Sequence, residues 1–131
     1  DFRGNRSIRF PDAETGAPVH YDINFVLRRT RLEPSGIPGM PLAHAALVTS
    51  LRNNLALDVW TTAPGLQVYD GRKIDLSGIP GLDGAIYGSN AGLALEPQHF
   101  PNSINIPHFP SVLLTPGDVY RQVSEFRFHA G

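Results

Sequence analysis

The sequence contains no cysteine, which excludes disulfide bridges, thiol catalysis and cysteine-ligated zinc or iron-sulfur centres and leaves the redox compartment open. It also lacks any apolar run approaching the roughly 18 residues of a membrane-spanning helix, and any secretory hydrophobic region, so the chain reads as soluble with its compartment undecided. No block of like charge occurs. With 11 basic and 12 acidic residues the net charge is −1, which provides no electrostatic footprint for nucleic acid or an anionic membrane, and the expected partner is neutral. A sustained 3.6-residue apolar period between caps is missing too, so helices are not expected to form the framework.

What is present is turn chemistry between short alternating segments. Glycine and proline number 13 and 12 in 131 residues, well above an average usage of about 12% together but below the composition of disordered chains. A hydrophobic content of 41% suffices for one core. These features predict a mainly antiparallel all-β chain, read as one unit over residues 1–131. The first residue is Asp1 rather than Met, and the segment Asp1 to Arg3 resembles neither a signal remnant nor a tag, so the chain reads as a downstream fragment.

The organising stretch runs from Ala91 to Pro110. Its first half alternates, with Leu93 and Leu95 on one face and Gly92, Ala94 and Glu96 on the other. A carboxylate beside two small residues leaves volume above the sheet for a small ligand. From Pro97 the alternation is lost, and prolines, asparagines, His99 and His108 form an irregular loop of the kind that carries function.

Elsewhere, Tyr21 to Leu27 places Asp22 and Asn24 opposite Tyr21, Ile23, Phe25 and Leu27. Leu32 to Pro41 reads as an excursion loop. Ala45 to Ser50 and Leu55 to Thr61 read as a hairpin around Arg52-Asn53-Asn54, with Leu55, Leu57 and Val59 facing the core. In Leu66 to Tyr69, Gln67 and Tyr69 share the face opposite Leu66 and Val68. Asp70 to Gly84 is a loop, Thr115 to Asp118 a turn, and Val119 to Phe128 a long closing strand. Pro11 to Pro18 is a turn-rich link, and Asp1 to Arg9 an arm or entering strand containing the sequon Asn5-Arg6-Ser7.

Three segments, Tyr21-Asp22-Ile23-Asn24-Phe25, Thr61-Thr62-Ala63-Pro64-Gly65-Leu66-Gln67 and Leu95-Glu96-Pro97-Gln98, stand in an order and spacing that resemble the C-terminal half of the aldose 1-epimerase, or galactose mutarotase, family. Phe109-Pro110-Ser111 and Leu114-Thr115-Pro116-Gly117-Asp118 extend the resemblance over nearly the whole chain. It implies a large antiparallel β-sandwich of which this chain is the C-terminal part. The implied activity is interconversion of the α and β anomers of a free hexose, a monosaccharide substrate, without a cofactor. It further implies that Glu96 is the catalytic base and that Asp22 and Gln67 bind sugar hydroxyls. Pro97 stands where the family has threonine. The family's acid histidine, a second histidine and an arginine precede the first residue here, so an N-terminal half, present as a second chain, is the implied partner.

Opening a pyranose needs a base on the C1 hydroxyl and an acid on the ring oxygen, and an ionised glutamate with a histidine titrating near neutrality supplies both. Rotation about C1–C2 and reclosure with the roles reversed inverts the anomer. Without the resemblance, Glu96 is a strand-end carboxylate held by backbone donors or an arginine, Asp22 a solvated residue or a ligand, and Gln67 a turn cap. His99 lies three residues beyond Glu96, an odd spacing that places it on the opposite face of a continuing strand, so it could serve as the acid only where Pro97 bends the chain back. His20, His44, His108 and His129 read as surface or loop-bracing residues without metal-binding spacing, and Trp60 and Tyr69 as packing. The alternative to an enzyme is a carbohydrate-binding or sensor protein of the same fold that does not turn over.

Overall fold

The alternating segments become strands in the structure, a computed structural model that describes residues 7–8 and 11–131. The arm over Asp1 to Arg9 lies outside the described residues apart from Ser7 and Ile8, as do Asn5 and Arg6 of the sequon. Among the described residues there are seven strands, two short 3₁₀ turns and no α-helix, so the chain is all-β. It divides into two compact units, Asp1–Ile23 with Val68–Ala94, and Asn24–Gln67 with Leu95–Gly131. Strands β1 (Asp22–Val26), β5 (Gly65–Tyr69) and β6 (Ala94–Gln98) form a three-stranded sheet in the order β1-β5-β6.

The second unit holds β2 (Leu32–Glu33), β3 (Leu42–Thr49), β4 (Leu55–Thr61) and β7 (Ser124–Ala130), an antiparallel sheet in the order β2-β3-β4-β7. The turn between β3 and β4 forms as its asparagines predict: Asn54 takes φ 54°, and Asn53 Oδ1 accepts the Leu55 N–H at 3.2 Å. Register pairs Leu57 with Phe128 and Val59 with Phe126 on one face, and Trp60 with Glu125 and Asp58 with Arg127 on the other. A register shift between His44 and Ala46 resets the alternation of β3, as a bulge does.

Core placement differs from the simple alternation. Val59 is fully buried, but Leu55 at the strand's start is 44% exposed, while Ala56 and Trp60 on the opposite face are buried. The second face is covered because Arg31 and Arg127 each lie 4.9 Å from the Trp60 ring centre and His44 packs against it at 4.8 Å. Leu32 to Pro41 is not wholly loop, since Leu32 and Glu33 pair with Ala43 and Leu42. The closing strand starts at Ser124 rather than Val119. Val123 N–H donates to the Thr62 hydroxyl at 3.1 Å and its carbonyl accepts the Thr62 N–H at 3.0 Å, so a side chain replaces one of the ladder bonds there.

In the first unit the link from Pro11 to Pro18 closes on itself. Asp12 Oδ1 accepts the N–H groups of Glu14 and Thr15 at 3.1 and 2.9 Å, and Pro11 bridges Pro18. Gly71 turns the chain after β5 with φ +70°, and a Cβ there would stand 2.8 Å from the Gly92 carbonyl oxygen. Only glycine fits that turn and that approach.

Candidate functional site

Glu96 sits in the middle of β6, exposed, and no arginine, lysine or backbone donor among the described residues engages its carboxylate. The strand continues through Pro97, which lacks an N–H, and its backbone is held from the other side instead. Gln122 Nε2 donates to the Pro97 carbonyl at 2.9 Å, and Tyr120 hydroxyl donates to Gln122 Oε1 at 2.5 Å. The residue following the carboxylate is thereby tethered although the ladder cannot hold it.

Gln67 lies on β5, the neighbour of β6 in the sheet, so the two strands bring Gln67 and Glu96 onto adjacent elements. Two residues before Gln67, Gly65 admits a close approach: a Cβ would meet Asn24 Oδ1 at 2.5 Å and the Phe100 ring at 3.0 Å. Asn24 is therefore packed over the β5 position that shares its face with Gln67. Both Asn24 amide atoms are buried without a hydrogen-bond partner among the described residues, as is His99 Nδ1. Such unmet capacity costs about 1–3 kcal/mol per group. Asn24 was visible in the sequence only as the polar neighbour of Asp22 in the alternation.

His99 lines a cavity of about 270 Å³ whose wall includes Thr62, Pro64, Tyr120 and Arg121. Phe100, next to it, packs edge-on against Phe109 at 5.0 Å, and Ser103 hydroxyl donates to the Phe100 carbonyl at 2.6 Å, which orders the loop after β6.

Asp22 begins β1, exposed, and is described with the first unit. The residue before it, Tyr21, is buried and gripped by Asp70: Tyr21 N–H donates to Asp70 Oδ2 at 3.2 Å, and Asp70 N–H donates to the Tyr21 carbonyl at 3.0 Å. His20 Nδ1 lies 3.0 Å from the same carboxylate oxygen. Partial burial pushes the Asp70 carboxyl up, but hydrogen bonds from His20, the Arg72 N–H and the Tyr21 N–H outweigh it and hold the group below the ordinary carboxylate value.

The remaining histidines and aromatics brace. His44 and His129 both reach Asp58, the latter at 2.8 Å. Tyr69 hydroxyl accepts the Lys73 N–H at 2.9 Å, and Trp60 is core. Among the described residues no group of three or more His, Cys, Asp or Glu is placed to hold a metal ion, and no helix is long and apolar enough to cross a membrane.

A family model described as aldose 1-epimerase matches residues 4–127. A galactose mutarotase from Sus scrofa is 37% identical over 108 residues, 82% of this chain and 29% of that protein. An aldose 1-epimerase from Escherichia coli (strain K12) is 41% identical over 88 residues, 66% of this chain and 25% of that protein. The crystal structure of an aldose epimerase homologue from C. elegans superposes with a TM-score of 0.67 at 26% identity, covering 85% of this chain and 30% of that one. The chain thus spans less than a third of the length of these relatives.

Proposed function

The chain belongs to the aldose 1-epimerase family, and from that premise we propose that it carries the base half of a mutarotase site and acts, with an N-terminal half, on a free hexose. Glu96 removes the proton from the anomeric hydroxyl, Asp22 and Gln67 hold sugar hydroxyls, and a histidine of the N-terminal half protonates the ring oxygen. Ring opening leaves an aldehyde at C1. Rotation and reclosure return the proton from the ring hydroxyl to the histidine while Glu96 gives its proton to the new anomeric oxygen. The observation that carries this reading is the exposed Glu96 carboxylate, unclaimed by any cation among the described residues, on the strand beside Gln67.

The 131 residues act in this reading as the C-terminal portion of one sandwich domain. Following freshly dissolved α-galactose by polarimetry tests the proposal: the protein with both halves present relaxes to the anomeric equilibrium faster than buffer alone. Saturable galactose binding with no acceleration would instead identify a carbohydrate-binding protein, and neither binding nor acceleration would remove both readings.

A further inference from the structure

β1 is five residues long, and packing discriminates its two faces weakly: Ile23 is 45% and Val26 73% exposed. A strand whose faces differ little in burial has a weakly specified register, and a slip of one residue turns every side chain to the other side. Asp22 would then leave the face it shares with Asn24. Beyond the burial of Tyr21 just before it, a polar constraint is needed to fix the start of this strand.

Asp70 supplies it. Its backbone N–H and its carboxylate take the Tyr21 carbonyl and the Tyr21 N–H, so both hydrogen-bonding groups of the residue preceding Asp22 end on one partner. The partner is itself fixed: Oδ1 accepts the Arg72 N–H at 3.0 Å, the carbonyl accepts Asn90 Nδ2 at 2.9 Å, and His20 Nδ1 lies 3.0 Å from Oδ2. The segment leading into Tyr21 borders a cavity of about 450 Å³ lined by Pro18, Val19, His20, Asp70, Asn90 and Leu93, so polar contacts rather than dense packing hold it on that side. Charge-assisted bonds are the stronger kind for the purpose.

We propose that Asp70, braced by His20, is a positioning residue for the hexose site: it fixes the backbone of Tyr21 and through it the aim of the Asp22 carboxylate. The proposal rests on the reading of Asp22 as a sugar ligand. A residue that acts only through Asp22 changes substrate affinity more than turnover, and its effect vanishes once Asp22 is gone.

The experiment is steady-state mutarotation of galactose, with both halves of the protein present, for Asp22→Ala, Asp70→Ala, Asp70→Asn and the double variant Asp22→Ala/Asp70→Ala, alongside a urea midpoint for each. The expected results are a rise in KM of about tenfold for Asp70→Ala with kcat within about threefold, a smaller rise for Asp70→Asn, which keeps one acceptor oxygen, and a double variant no worse than Asp22→Ala. If Asp22→Ala raises KM but Asp70→Ala does not, or if the two losses multiply, the positioning role is overturned while the sugar-ligand reading stands. If Asp22→Ala leaves KM unchanged, both fall.

Discussion

Gly65 shows how one residue type governs the neighbourhood of Gln67. A methyl group there would meet the Asn24 amide oxygen at 2.5 Å and the Phe100 ring at 3.0 Å, where Phe100 packs edge-on against Phe109 and the Asn24 amide atoms are buried. Gly65→Ala should therefore cost about 1–3 kcal/mol through overpacking, read as a lowered urea midpoint, and an unchanged midpoint would show that Asn24 moves freely. Trp60 tests the opposite case, deletion. It is enclosed by Arg31, Arg127 and His44, and Trp60→Ala should cost about 3–5 kcal/mol by opening a cavity beneath these side chains. A loss below about 1 kcal/mol would mean that the arginines, not the indole, organise this face.

Among the elements, β4 is the one best legible in the sequence: Leu55 to Thr61 alternates, its turn carries two asparagines, and the observed strand has those bounds. What alternation could not show is that its two faces are covered by different means, aliphatic packing beside Val59 and cationic side chains around Trp60. The His-Asp pairs were hidden for a related reason. His20 and Asp70 are 50 residues apart and His129 and Asp58 are 71 apart, so their meeting is a property of strand order rather than of any local pattern. The start of the last strand was hidden because a Thr62 hydroxyl substitutes for a ladder partner. That Gln67 and Glu96 stand on strands was legible from alternation, but not that those strands are neighbours, nor the Asp70 grip on Tyr21.

The β3-β4-β7 sheet also carries a pH dependence. The Ala130 carbonyl and then Asp58 raise the His129 pKa above its ordinary 6.5, against a small opposing effect of burial. Asp58 is pushed up by burial but held below 3.8 overall by His44 and His129. A raised histidine pKa stabilises the fold fully below 6.5 and loses that contribution as pH rises through the folded value. A lowered aspartate pKa stabilises above 3.8 and loses its contribution as pH falls through the folded value. Stability from this pair is thus greatest between about pH 4 and 6.5. His129→Asn should reduce the urea midpoint at pH 5.5 more than at pH 8.5, and equal losses at both would show that the pair does not titrate as described.

For the molecule as a whole, exposed apolar surface links fold to function. On the β4-β7 face opposite Trp60, Phe126 is 46% and Phe128 65% exposed, a patch of the kind that marks an interaction surface or an aggregation hazard. An N-terminal half that completes the sandwich would cover such surface. The 131 residues alone should then bind a hydrophobic dye, associate with rising concentration and show no mutarotation, and co-expression with that half should abolish all three; a monomeric, dye-silent chain would contradict this.

The most direct measurement of the central claim is the rate at which optical rotation of α-galactose relaxes with both halves present, before and after Glu96→Gln. The substitution keeps the size of the side chain and removes its basicity, so the acceleration should fall by about 10² to 10⁴ while galactose binding persists. Retention of the full rate in Glu96→Gln would contradict the assignment of the base to β6.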